Sequence, residues 1–287
     1  NIARATRRQG LGACNDAMVT FFPSHVDEAV FDTLVSPTLY RRIGEAYEGV
    51  RVATAAALRG GIVGPTLADP DGVARSALGV DLRVAGAPFA SWGGKFLPLA
   101  SPAFTSGDGT LLMLLKAAAS LFERRSRLVA DGGVCDLPSL YPAATRNAYL
   151  FPSARCGMLL PGLLVAPFAD ALYDEESLYS RVMYVVAHEV AHVTAAAVWR
   201  ETPMAALLRD YPSSTHVEAI ADLTAVVAIM TTGKANRSAL CGHLSQLWCA
   251  RTPDYGMMFW MAAPAPSSHP ALNVRGDLMC AFLDRFF

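Results

Sequence analysis

Apolar positions recur at helical spacing through most of this chain, in runs closed off by Gly and Pro. The stretch from Ser24 to Leu58 predicts helix: Ser24 is a candidate cap, Asp27 and Glu28 fall in the first turn, Pro37 breaks the run and Gly60-Gly61 ends it. Residues 62–104, rich in Gly, Pro and Ala, predict loops with one short helix near Asp71 to Leu78. A strong helix is predicted from Leu111 to Ala130, closed by Gly132-Gly133. The texture changes from Asn147 to Phe168, where Tyr, Leu, Val and Phe alternate with turn formers, and one or two short strands with a turn near Ser153 to Arg155 are expected. Three helices follow, about Glu176 to Arg200, Ser214 to Thr231 and Arg237 to Ala250, and a last one from Asp277 to Phe287. The resulting class is α+β, mainly α-helical, with a small sheet.

Composition narrows the function classes. With 53% hydrophobic residues over 287 positions the chain can bury a sizeable core. A formal charge of −1 provides no long-range field, and with no basic cluster it argues against a nucleic-acid partner. Val182 to Trp199 approaches membrane-spanning length, yet ionisable His188, Glu189 and His192 would sit at its middle, so it reads as a buried helix and no transmembrane helix is expected. The six cysteines show no CxxC spacing. Their number leans toward an oxidising, extracytoplasmic compartment, with a mitochondrial or other organellar assembly as the alternative.

Chemistry concentrates in the segment HEVAH. His188 and His192 lie one turn apart on a helix and can offer two imidazole nitrogens to one ion, while Glu189 falls beside an open coordination position where a carboxylate can take a proton from an activated water. The motif is embedded in Val182, Met183, Val185, Val186, Ala187, Val190, Ala191 and Val193. Burying two histidines and a glutamate there without a partner costs on the order of several kcal/mol, which a metal removes. One zinc ion per chain is the expected cofactor, and it needs a third protein ligand. Glu218, opening EAIAD on the next helix, is that candidate, with Asp222 on the same face to accept the free ring N–H of His188. His216 is the rival ligand. A metzincin pattern is excluded, because Val198 stands where its third histidine belongs and Ala195 where its glycine does.

These residues resemble the neprilysin and endothelin-converting-enzyme family of zinc peptidases. The segment NAYLFPSARCGMLLPGLLVAPF, from Asn147 to Phe168, is similar to that family's NAYY…FPAGILQPPFF segment, and its distance to His188 agrees without a gap. Gln246-Leu247-Trp248-Cys249 resembles the family's WC element, and His269 followed six residues later by Arg275 resembles its HxPxxxR element, with the proline one place early at Pro270. Departures are Ala187 for the Gly before the first ligand, Val193-Thr194 for Gly-Phe, and Leu223-Thr224-Ala225 for Asn-Gly-Gly.

The resemblance implies a thermolysin-like catalytic domain at residues 106–287, with residues 1–105 as a helical and loop part packed on it. It implies that Asn147 and the backbone of Ala148 bind a peptide substrate as an added edge strand. It further implies that Arg275 grips a substrate carbonyl, that His269 stabilises the oxyanion, and that Leu163, Phe168, Val185 and Trp248 line an apolar pocket. Members carry a helical domain over the active site, most of which is missing here, so the site is expected to be open or covered by a partner chain or an unobserved segment. The expected activity is zinc-dependent endopeptidase; the alternative is a catalytically retired, peptidase-like scaffold or subunit of a larger assembly.

Overall fold

The computed structural model describes residues 23–87, 109–130, 144–197, 216–248 and 272–287. The first helix starts at Pro23, so the expected cap Ser24 lies inside its first turn, whereas the next two α-helices start at side-chain caps. Helices α1 (Pro23–Leu34) and α2 (Pro37–Arg59) are separated at Ser36, whose Oγ accepts from Leu39 N at 3.1 Å while Pro37 opens α2. Asp69 does the same for α3 (Pro70–Leu78), accepting from Gly72 N at 2.9 Å. Helix α4 (Thr110–Ala130) lies where the long apolar run predicts it.

The sheet has three strands, β1 (Asp81–Val84), β2 (Ala148–Phe151) and β3 (Cys156–Leu159), in the order β1-β3-β2. Strands β2 and β3, two short strands around the expected turn, form an antiparallel hairpin, with Ala148 opposite Leu159 and Phe151 opposite Cys156. Its turn holds Arg155 at φ 52°, a left-handed conformation uncommon for a non-Gly residue. Strand β1 departs from the expectation of loop and short helix for residues 62–104. It pairs in parallel with β3, Leu82 facing Gly157, so its stabilisation comes from a partner far along the chain that no local turn announces. Gly157 lies between both neighbours: a Cβ there would come within 2.3 Å of Tyr149 O and 2.9 Å of a Leu82 methyl, so only glycine fits without displacement.

The helical run after the sheet is more varied than a single helix. It comprises α5 (Glu175–Leu178), a π-helical turn (Tyr179–Met183), α6 (Tyr184–Ala191) and a 3-10 turn (His192–Ala196). Then come α7 (His216–Thr232), α8 (Arg237–Trp248) and α9 (Leu272–Phe286), the last starting ahead of the expected Asp277. Every residue from Ala219 to Ile229 in α7 is buried, which is what a helix apolar on all sides requires. It packs on α2, α6 and α9, and α6 packs in turn on β2. A Cys241–Cys280 disulfide joins α8 to α9, and Cys156 is also disulfide-bonded. Phe31 and Val50 from the N-terminal part share one apolar core with Val186, Val226 and Phe282, and β1 enters the same sheet. No described helix is long and apolar enough to cross a membrane.

Candidate metal centre

Helices α6 and α7 are both rich in apolar residues and pack on each other, bringing His188 and His192 of one against Glu218 of the other. On α6, His188 and His192 follow one another by a turn, their rings edge-to-face with centroids 4.7 Å apart. Glu218 meets them from the first turn of α7. The atoms His188 Nε2, His192 Nε2 and Glu218 Oε2 form a triangle with edges of 3.1, 3.2 and 3.5 Å. A tetrahedral ion with ligand bonds of about 2.0–2.1 Å needs its ligand atoms about 3.3 Å apart, so the triangle fits zinc. Among the described residues this is the only His/Cys/Asp/Glu group able to hold a metal, and His216 is not part of it.

Behind the triangle sits a buried polar chain. His188 Nδ1 lies 2.8 Å from Asp222 Oδ1, one turn beyond Glu218 on α7. Asp222 is fully buried and takes Arg275 of α9 in a two-point pair, Nε to Oδ2 at 2.7 Å and Nη2 to Oδ1 at 2.6 Å. Tyr184 of α6 donates to the same Oδ1 at 2.7 Å, its hydroxyl also 2.8 Å from Met279 Sδ.

The electrostatics follow from burial and from these neighbours. Burial pushes the Glu189 carboxyl up to about 7, and the negative Glu218 adds to this while His188 opposes it. For His188 burial favours the neutral ring, but the Asp222 carboxylate, with help from Glu218 and Glu189, prevails and raises it to about 10. Burial would raise Asp222, yet Arg275 and His188 hold it well below the usual carboxylate range. Tyr184 is raised by burial and by Asp222, so its hydroxyl stays a donor.

The remaining sequence-predicted residues fall into four groups. Asn147 directly precedes β2, with its carbonyl accepting from Leu160 N at 3.1 Å, and β2 packs against α6. Strand β2 pairs with β3 on one side, and no described strand pairs with its other side. Leu163 and Phe168 are buried in the core and Val185 packs against it. His269 and Cys249 lie outside the described residues, as does the side chain of Trp248, the last residue of α8. Arg275 is 2% exposed, and the two bonds to Asp222 place it in the chain behind His188, an arrangement the sequence reading did not anticipate. Tyr184 was also missed. Its signal was present, since it precedes His188 by one helical turn.

The described residues thus form a mainly helical domain with a small sheet, in which two apolar helices bring together two histidines and a glutamate. Among solved structures it is similar to the zinc metalloprotease Zmp1 of Mycobacterium tuberculosis, solved in complex with an inhibitor, with a TM-score of 0.59 and 17% identity. The match covers 94% of this chain and 47% of that one, so the chain spans about half the length of its structural neighbour. No protein-family model matches the chain, and no curated protein does.

Proposed function

We propose that this chain is a zinc-dependent endopeptidase of the neprilysin type, with zinc held by His188, His192 and Glu218. The observation that carries the reading is the triangle of ligand atoms, whose 3.1–3.5 Å edges suit a tetrahedral ion, set beside a buried Glu189. Zinc in such a site supplies Lewis acidity toward a carbonyl and lowers the pKa of a coordinated water.

The chain's own residues do the rest. Glu189, whose carboxyl burial brings close to neutrality, takes the proton of the attacking water and passes it to the leaving amine. Asp222 accepts the Nδ1 proton of His188, fixing the tautomer that leaves Nε2 as a ligand. Arg275 holds Asp222 in place. An extended peptide adds to the outer edge of β2, guided by Asn147 and the backbone of Ala148, a mode that recognises main chain before side chain. By resemblance His269 steadies the oxyanion, Arg275 also reaches a substrate carbonyl, and Leu163, Phe168, Val185 and Trp248 form the pocket for the residue after the cut.

Zinc analysis of the purified protein, followed by cleavage of a mixed peptide library with and without a chelator, tests the reading. Stoichiometric zinc and chelator-sensitive cleavage are expected. Absence of cleavage in parent and in Glu189→Gln alike would instead favour the retired scaffold, and protein that takes up no zinc would sink the endopeptidase reading.

A further inference from the structure

Asp222 Oδ1 is the meeting point of three helices. It faces His188 Nδ1 of α6 at 2.8 Å, accepts Arg275 Nη2 of α9 at 2.6 Å, and accepts the Tyr184 hydroxyl at 2.7 Å. The histidine contact is the one that matters for a metal, because it decides which ring nitrogen carries the proton and where the ring points. That contact is only as well placed as the carboxylate plane. Arg275 grips both oxygens, and a two-point grip still lets the carboxylate hinge about the line joining them. Tyr184, arriving from a different helix, is a third anchor that removes this freedom.

The tyrosine is itself rigidly held. It is 0% exposed and among the largest fully buried side chains, and its hydroxyl touches Met279 Sδ as well as Asp222. A phenol buried in an apolar helix needs a partner, and the partner here is the one carboxylate that also serves His188. Tyr184 and His188 lie one turn apart on α6, and Glu218 and Asp222 one turn apart on α7. The two helices thus make two rungs, a metal rung (His188 with Glu218) and a tyrosine rung (Tyr184 with Asp222), joined by the His188–Asp222 contact.

We propose that Tyr184 is a positioning residue for the metal centre: its hydroxyl locks the Asp222 carboxylate toward His188 and thereby sets the metal affinity of that histidine. The inference rests on the zinc reading above, but it concerns a residue that touches neither metal nor substrate. Two things follow from it. Removing the hydroxyl weakens zinc binding without removing a ligand, and it alters the His188 Nδ1–H environment even when no metal is bound.

Tyr184→Phe tests both. The zinc dissociation constant is measured by competition with a chelator of known affinity, and the His188 Nδ1–H resonance is followed by NMR in metal-free protein. Zinc affinity should fall about tenfold, the lower end of what losing a partner behind a metal ligand costs, because the variant keeps Arg275 on Asp222. The Nδ1–H resonance should move or exchange faster with water. Tyr179→Phe, at a buried tyrosine on the preceding π-turn, is the control; it should leave zinc affinity and the His188 resonance unchanged whatever it does to thermal stability. Should Tyr184→Phe fail to fold, 3-fluorotyrosine at position 184 keeps the ring and hydroxyl but donates more strongly, and zinc affinity and the His188 resonance must both shift. A parent that binds zinc, with a Tyr184 variant binding within about twofold of it and an unmoved resonance, overturns this inference and leaves the zinc reading intact. A parent that binds no zinc overturns both.

Discussion

Asp222→Asn is the substitution for which the structure makes the most demanding prediction. Asparagine keeps one acceptor oxygen and gains an NH₂ group. If the oxygen stays where Tyr184, Arg275 Nη2 and His188 meet, the new NH₂ faces Arg275 Nε, donor against donor; if it flips, it faces the other three. Either way the Arg275 guanidinium, 2% exposed, loses its counter-charge. Breaking a buried ion pair by removing one partner typically costs about 3–5 kcal/mol, a large part of a domain's usual stability, and for a chain of this size a melting point lower by roughly 10 °C. Zinc affinity should fall as well, by about 10- to 100-fold, because His188 loses the acceptor that fixes its tautomer. Denaturant unfolding of metal-free protein measures the first effect and chelator competition the second. A second change separates causes: Arg275→Met added to Asp222→Asn removes the stranded charge, so the double variant should be more stable than Asp222→Asn alone while its zinc affinity stays low. A stability loss under about 1 kcal/mol, or a double variant that is less stable than the single one, would refute the reasoning.

Three further outcomes are expected. Glu189→Gln should lower chelator-sensitive peptide cleavage by about 10² to 10⁴ with zinc content and melting point nearly kept, and a variant retaining more than about a tenth of parental activity rules out Glu189 as the base. Metal-free protein should lose stability as pH rises, since both raised groups make the folded state hold protons longer: Glu189 acts between its ordinary value and about 7, and His188 between 6.5 and about 10. Zinc affinity should rise over the second window by about tenfold per pH unit for each proton the ligands release, and a flat profile in a titration series contradicts it. Replacing Cys241 and Cys280 with alanine opens a crosslink with a sequence separation of 39, worth about 4 kcal/mol by chain entropy, and urea unfolding of oxidised parent against the double variant reads it.

Much of the candidate site was legible because helical spacing is a local property. His188 with His192, and Glu218 with Asp222, are each a turn apart, so their shared faces follow from the sequence alone, and the apolar residues around them announce burial. The β2–β3 hairpin was visible for the same reason, two short apolar runs around a tight turn. What escaped was non-local. Strand β1 exists because β3 offers it a parallel partner, and four residues reading Asp-Leu-Arg-Val carry too little pattern to reveal that. Arg275 could be read as a cation near a substrate; that it turns inward to Asp222 depends on how α9 lies on α7, which no residue spacing encodes. Tyr184 sat in plain register with His188, but an apolar helix holding a tyrosine is ordinary core until its hydroxyl is seen to find a carboxylate.

The charge balance of the buried cluster ties these strands together. Glu189, Glu218 and Asp222 bring three carboxylates and Arg275 one positive charge, so with neutral histidines and every carboxylate ionised the cluster would carry two surplus negative charges. Low-dielectric surroundings do not tolerate that surplus. Without metal, protons meet it in part: His188 is raised by the carboxylates of Asp222, Glu218 and Glu189, and Glu189 chiefly by burial with Glu218 adding to it. A dication supplies the same two charges at one point, and the triangle of His188, His192 and Glu218 is where the geometry admits it. On the zinc reading, protons and the ion would compete for the same charge deficit, Asp222 and Arg275 being already neutralised against each other. The same deficit explains why Tyr184, an uncharged donor, can steady Asp222 without disturbing the balance, where a second cation at that position would supply part of the positive charge that the metal brings.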